Sequence, residues 1–576
     1  MDVVAVIPTH RLKTCDWLVL AVLTVLAVMA GHQAVRAPRD IGWYLDDTDY
    51  LATSKALADG HGYRHIELPG APLQTKYPPA YPALLALIWR IWPDFPANIA
   101  YVQVLNAALW LLGSWLAYRL MRRLWQLPWW IAGFAAAVGF THPATQGVLQ
   151  SAMSEPLYFV LSLASLCVLE LAPLPADGTA TPRRRLRPLM GGLLAGVAGL
   201  ARTIGVTLVG AAVLASLLRR QARSVLPIVL GAGLLLGAWQ GWVAYGNRAN
   251  ASIPEAAALR YQLDYNAWVP RDLAAAGRVV LFNIPDVVLT TYAILLPYDK
   301  ALLERDLPDA WLIYVLMLVM LSLYVTGFVA TFRRQQAGVH LYVLATLAMI
   351  VIWPFSPARL LLPIHPFLVA FALVGLYATL LRCTSLLSSA RRAGQSSLWD
   401  ANRPGAELTR RVLVGALVLF GIVRGGGAWQ PDPAEQTRHA EAVRAFDDLA
   451  TLIRTATPPD AVISAPRWAY VYLLTNRVCV PPMIDEDPVP SRYPPDRPWL
   501  GCGVFSTPGR MDVDCAYMRA NLLPHLRRSG AQYVAHYSEP GFAYDTVFRE
   551  MEHNPEVRFE QSGAVGKFRL LRIRWR

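Results

Sequence analysis

Three acids fall within four residues of the stretch WYLDDTDY: Asp46, Asp47 and Asp49. Clustered carboxylates suit two kinds of chemistry. One can take the proton of an attacking hydroxyl, and several together can hold a hard divalent cation, magnesium or manganese, through oxygen ligands. The cations that would complement them are Lys76, Arg202 and Arg359. A carboxylate on one wall and cations on the other suit a transfer from a phosphate leaving group to a hydroxyl. The acid accepts the proton while the cations stabilise the charge that builds on the departing phosphate. Tyr50, Tyr77, Glu155 in MSEPLY and His365 in LLLPIHPF complete the candidate set. Each has a plainer role as well. Acids are favoured in the first turn of a helix, and Glu155 beside Pro156 suits a helix start. Arg202 and Arg359 could anchor lipid headgroups, and His365 could simply pack. His61 and His65 read as loop residues that, beside carboxylates, could also join a metal site.

What must position these residues is a membrane. The 576-residue chain is 55% hydrophobic and 16% charged, with a mean hydropathy of +0.33; soluble domains are about a quarter charged. Apolar runs predict spans at 16–37, 99–120, 129–148, 156–172, 187–201, 204–218, 225–245, 310–332, 338–354, 359–381 and 411–428. Each is long enough, or nearly so, to cross about 30 Å of hydrocarbon as a helix. No small-residue cleavage site follows the first, which reads as a retained span. The net charge of +13 does not call for nucleic acid. Its arginines cluster in short connections, at 119–123, 183–187, 219–223, 333–334 and 382–411, all on one side of this path. By the positive-inside rule that side and the N-terminus are cytoplasmic.

The expected fold is therefore a polytopic α-helical membrane protein of about eleven transmembrane helices with a C-terminal extracytoplasmic α/β domain. Residues 1–428 form the membrane module, with outer loops 38–98 and 246–309, and 429–576 form the outer domain. The first loop reads as a helix over 46–59 ending at Gly60, then KYPPAYPALLALIW (76–89), which restarts as an amphipathic helix suited to lie on the bilayer. In the tail, 439–456 and 468–476 have helical spacing, and 461–465, 531–537, 557–563 and 567–574 read as strands. Cys479, Cys502 and Cys515 lie in this outer part, where a 502–515 bridge is open; Cys15, Cys167 and Cys383 read as small apolar residues.

The ordered set DDTDY, KYPPAYPALLAL, SEPLYFVL, GLLAGVAGLARTIG and ARLLLPIHPFL resembles the bacterial branch of the GT-C membrane glycosyltransferases, which includes protein O-mannosyltransferases and the lipid A aminoarabinose transferase. The resemblance runs over about residues 15–430. It implies inverting transfer of a sugar from a polyprenyl-phosphate-linked donor on the periplasmic or extracellular face of the bacterial inner membrane. The family's acidic pair falls on Asp46 and Asp47, one of them the base, Asp46 narrowly preferred. Its following tyrosine falls on Tyr50. Its Lys-Pro-Pro element falls on Lys76, Pro78 and Pro79, with Tyr77 inserted, and its Ser-Glu element on Ser154 and Glu155. Its Arg-Tyr-Leu-Leu-Pro element falls on Arg359, Leu361, Leu362 and Pro363, with Leu360 in place of the tyrosine. Lys76, Arg202 and Arg359 are the implied phosphate ligands, and Tyr50, Tyr77, Glu155 and His365 the implied substrate contacts. No cofactor is required with certainty: the superfamily contains divalent-cation enzymes, for which Asp46, Asp47 and Asp49 would be the ligands, and metal-independent ones. Acceptors implied are a glycolipid, a polysaccharide or a protein. A transporter or flippase is a competing reading, disfavoured because no internal repeat is visible and the charges gather at one face. An O-antigen ligase-like transferase is disfavoured by the acidic cluster.

Overall fold

The computed structural model describes residues 12–37, 41–42, 44–171, 186–259, 263–264, 272–293, 310–333, 336–353, 357–387, 407–415, 417, 433–482, 511–538 and 543–576. Most of the eleventh expected span and the 502–515 cysteine pairing lie outside them.

The molecule is mostly helical. Helices that are apolar all round belong in lipid, and α1 (Thr14–Arg36) is one: Leu23, Ala27 and Ala30 are buried while Val22, Val25 and Val28 stay exposed. Among the described residues, Thr14–Arg36, Ile99–Leu124, Ala222–Asn250 and Ala358–Cys383 are long and apolar enough to cross a membrane. Shorter apolar helices over Trp129–Thr141, Arg187–Ala201, Thr203–Leu218, Val315–Thr331 and Gly338–Ile352 pack among them. Small residues allow close approach. Gly192 lies against the Ile228 backbone, and Gly196 against that of Ala232, so the helices over 187–201 and 225–250 run side by side.

The outer loop folds as its residues predict. Here α2 (Asp46–Ala58) carries the acids in its first turn, and α3 (Ala80–Ile91) follows the double proline with Leu85, Ile88 and Trp89 buried and Leu87 and Ile91 exposed. α4 (Ile99–Leu124) descends beside α1. The expected hairpin also forms. Chain leaves the Arg187–Ala201 helix at Arg202 in an extended conformation (φ −150°, ψ 135°) and restarts at once.

Several expectations need correction. The apolar run at 129–148 is not one helix. It forms α5 (Trp129–Ala137) and a 3-10 turn, then breaks at His142-Pro143 before α6 (Pro143–Gln150), which meets α7 (Glu155–Glu170) at 108°. Proline cannot continue a helix that needs its N–H, but it suits a first turn. His142 Nδ1 accepts from the Ala144 N–H at 3.2 Å to cap that new start. The run at 359–381 likewise begins as short turns at Pro357–Leu360 and Leu362–Ile364 before the helix over His365–Leu387. The 246–309 loop contains a 21-residue helix, Leu273–Ala293, which packs on the Gly338–Ile352 helix; Asn283 Nδ2 donates to the Trp353 carbonyl at 2.6 Å. Finally, Gly327 abuts the Phe371 carbonyl and Gly375 that of Leu323, so the eighth and tenth expected spans are antiparallel. A strictly alternating path of eleven spans makes those two parallel. The regular count is not carried by the fold.

The tail forms a five-stranded mixed sheet in the order β2-β1-β3-β5-β4: β1 Ile463–Ser464, β2 Cys479–Val480, β3 Tyr533–Tyr537, β4 Val557–Val565 and β5 Phe568–Trp575. β1 pairs in parallel with β2 and β3, while β5 is antiparallel to β3 and β4. Helices Pro433–Ala456, Trp468–Thr475, Met511–Arg528 and Ala543–Met551 flank it. This domain shares a core with the first outer loop, in which Tyr50, Tyr81 and Leu85 join Phe446, Trp468, Tyr470 and Phe568. The Cys479 N–H donates to the Glu67 carbonyl at 2.8 Å.

Candidate active site

Asp46 opens α2, so its side chain stands at the edge of the helix rather than within it. Oδ1 accepts from the Tyr77 hydroxyl at 2.6 Å and Oδ2 from Arg359 Nη2 at 2.9 Å. Both side chains of the ion pair remain about a quarter exposed, at 25% and 26%. Burial alone would raise the Asp46 carboxyl. The Arg359 guanidinium, then Lys76 and the Tyr77 hydroxyl, outweigh it and hold the group below the ordinary carboxylate value. Asp46 is thus an ionised, reachable acceptor.

Its neighbour differs. Asp47 is buried, and its oxygens accept from the Gly42 and Thr48 N–H groups at 2.9 Å each. Burial pushes its carboxyl up to about 6 despite those bonds. Through those two bonds it stitches the turn before α2. Asp49 points to a third place: with His65 and Glu67 it forms a buried cluster, and burial pushes it up to about 7. The three acids therefore serve three different environments, and the set Asp46, Asp47 and Asp49 does not fit a shared cation.

Facing Asp46 is an alternation of charges. Glu155, at the first position of α7, is fully buried, with Arg202 Nη1 at 2.7 Å and Arg359 Nη1 at 3.7 Å from its Oε1. Arg202 also donates to Ser154 Oγ at 3.3 Å, and that oxygen lies 3.1 Å from the Tyr50 hydroxyl. Tyr44 lies under the Arg359 guanidinium at 4.7 Å. Lys76 Nζ sits 5.1 Å from the Tyr77 ring. Two acids and two guanidiniums from α2, α7, the hairpin turn and the 357–360 turn thereby meet at one place, although Asp46 and Arg359 are 313 residues apart.

Beside this cluster opens a small cavity lined by Tyr50, Pro78, Arg202, Thr203, Ile204, Met349, Trp353 and Leu360. A cation, hydroxyls and a greasy wall in one hollow can take an anion that carries a hydrocarbon tail.

Of the residues singled out in the sequence, Asp46, Tyr50, Tyr77, Glu155, Arg202 and Arg359 come together, with Lys76 close by. Asp47 backs the turn from behind. His365 is fully buried, its ring 5.3 Å from that of His142 and against Gly139, and it is not among the residues that line the cavity. Tyr44 was missed; its signal was an aromatic residue two positions before the acids. Met349 and Trp353 gave none, since lining residues look like any other apolar ones.

Two solved structures of ArnT share the fold. ArnT from Cupriavidus metallidurans in the apo state aligns over 96% of this chain and 97% of its own, with a TM-score of 0.52 at 14% identity. ArnT from the same organism bound to undecaprenyl phosphate aligns over 97% and 98%, with 0.51 and 14%. The archaeal oligosaccharyltransferase AglB from Archaeoglobus fulgidus, in complex with an inhibitory peptide and a dolichol-phosphate, aligns over 90% of this chain and 69% of its own, at 0.46 and 12%. No protein-family model and no curated protein sequence matches the chain.

Proposed function

On the GT-C membrane-glycosyltransferase fold that this chain shares with ArnT, we propose an inverting transfer of a sugar from a polyprenyl-phosphate-linked donor to an acceptor hydroxyl. The observation that carries it is the quarter-exposed Asp46 paired with Arg359 beside a cavity lined by Arg202 together with the apolar Ile204, Met349, Trp353 and Leu360.

The donor's lipid tail lies along Ile204, Met349, Trp353 and Leu360, and its phosphate reaches Arg202. That phosphate competes with Asp46 for Arg359 and frees Oδ2. The acceptor hydroxyl oxygen then bonds to the anomeric carbon from the face opposite the phosphate. The bond from the anomeric carbon to the phosphate oxygen breaks with its electron pair left on the phosphate, and Asp46 takes the hydroxyl proton. Arg202, Arg359 and Lys76 stabilise the charge left behind. Glu155 fixes both guanidiniums by pairing with them, which places preformed dipoles where the charge develops. Tyr50 and Tyr77 orient the sugar and the base. Acceptors of this reaction are a glycolipid, a polysaccharide or a protein. The chain sits in the bacterial inner membrane, N-terminus inside and the 429–576 domain outside, and no step requires a metal at Asp46.

The test is purified full-length chain in nanodiscs offered a panel of undecaprenyl-phosphate sugars and, separately, lipid-diphosphate sugars. Inverted glycoside formed from a monophosphate donor supports the reading. Product from diphosphate donors alone, or none from either, overturns it.

A further inference from the structure

The turn that delivers Asp46 is strained. Leu45 has φ 61° and ψ −44°, and across it the Asp46 N–H donates to the Tyr44 carbonyl at 2.7 Å. That is a γ-turn of the rare, strained hand. A leucine stays in such a conformation only where its surroundings hold it there. Toward the cavity the turn presents Tyr44 and Asp46 to Arg359. Its N-terminal end is gripped by the tail domain. Arg467 Nη1 donates to the Ile41 carbonyl at 3.2 Å, and a side chain at Gly42 (φ 89°) would meet Arg467 Cδ at 3.0 Å. The Gly42 N–H in turn donates to Asp47 Oδ2, beside the base in sequence.

We propose that Arg467 is a positioning residue for the base: it reaches from the tail domain, fixes the turn before α2, and through that turn sets where Asp46 stands. The proposal rests on the reading of Asp46 as the base. Arg467 is itself held in a left-handed conformation (φ 50°, ψ 45°) at the start of the Trp468–Thr475 helix, and its side chain does not cap that helix. Glycine occupies such a backbone at no steric cost, whereas arginine does not. What an arginine supplies here is reach and charge. Its guanidinium lies 5.0 Å from the centre of the Phe446 ring, which steadies it within the tail domain, and its charge favours the ionised form of Asp47. The helix it begins packs on α2. One short piece of the tail therefore holds both the helix that carries the base and the turn that leads into it.

The experiment compares full-length proteins in nanodiscs by amide exchange and by turnover on the active undecaprenyl-phosphate sugar. Arg467→Gly removes the side chain and suits the left-handed backbone. Peptides spanning 41–50 should exchange faster by about tenfold or more, the worth of a bond from a charged donor, while those of β3 and β5 keep wild-type rates. The kcat should fall by about three- to tenfold, part of the roughly hundredfold that a misplacement of about 1 Å costs. The donor KM should stay within about twofold, because Arg467 is not among the residues that line the cavity. Arg467→Lys, which can still donate to Ile41, should recover most of both losses. Arg519→Ala, at an exposed pair with Glu550 in the same domain, should cause neither. Should Arg467→Gly fail to fold, Arg467→Met, which keeps the stem beside Gly42, is measured instead. Exchange of 41–50 at the wild-type rate, acceleration shared equally by β3 and β5, or a kcat within about twofold of wild type overturns the proposal. Where the wild type itself transfers no sugar, the reading of Asp46 as the base falls, and exchange alone decides whether Arg467 holds the turn.

Discussion

Replacing Asp46 by asparagine separates the two jobs given to the site. The substitution keeps the shape and removes the proton acceptor, so turnover should fall by about a hundred- to ten-thousand-fold, the usual worth of a general base. Lipid binding should behave differently. Asp46 now competes for Arg359 at 2.9 Å, but both partners are about a quarter exposed, which discounts the pair to about 1 kcal/mol. Relieving that competition should leave the affinity for undecaprenyl phosphate unchanged or tighten it by up to about fivefold. The assay is turnover on the active donor alongside equilibrium binding of radiolabelled undecaprenyl phosphate in nanodiscs. Turnover within tenfold of wild type refutes the base assignment. Binding weakened by more than about tenfold refutes the competition between Asp46 and the phosphate for Arg359.

Asp47→Ala orphans the Gly42 and Thr48 N–H groups, so it should cost about 1–3 kcal/mol of stability in chemical or thermal unfolding, with kcat per folded molecule changed less than tenfold. Arg359→Ala removes the strongest influence that lowers the Asp46 carboxyl and leaves burial, which raises it. The acid limb of the kcat/KM–pH profile should therefore move to higher pH; a limb that stays put belongs to another group. Gly327→Val would drive a side chain into the Phe371 carbonyl and should lower the unfolding temperature through overpacking by about 1–3 kcal/mol or more. Gly237→Ala, which meets nothing within 4 Å, should be neutral or stabilising by up to about 1 kcal/mol.

Local chemistry was legible in the sequence, and distant pairing was not. Acids at a helix start, a double proline before a second amphipathic helix, and an arginine between two small-residue helices are signals spaced over a few residues, and α2, α3 and the Arg202 turn follow them closely. The strands of the tail also lie where β-branched and aromatic runs put them, apart from the two-residue β2, too short to leave a pattern. Hydropathy windows failed where a single residue outweighs its neighbours: His142-Pro143 splits one apolar run, and Asn283, Pro285 and Asp286 hide the Leu273–Ala293 helix within what reads as a loop. Nothing local announces that Asp46 meets Arg359, or that Asp49 turns to His65 and Glu67 rather than to its fellow acids. Those choices are made by which helix faces pack, and helix phase alone separates Asp46, Asp47 and Asp49 by roughly 100° per residue.

In the resting cluster Asp46 and Glu155 cancel Arg202 and Arg359. A phosphodiester donor adds one negative charge. In the proposed reaction the lipid monoester left behind holds one more, while protonated Asp46 holds one fewer, so the electrostatic sum of the hollow is the same on both sides of the chemical step. It changes only when Asp46 surrenders its proton to water. From that moment the spent lipid is repelled by the restored carboxylate, and Arg359 is drawn back to its first partner. Resetting the base and discharging the carrier become a single event.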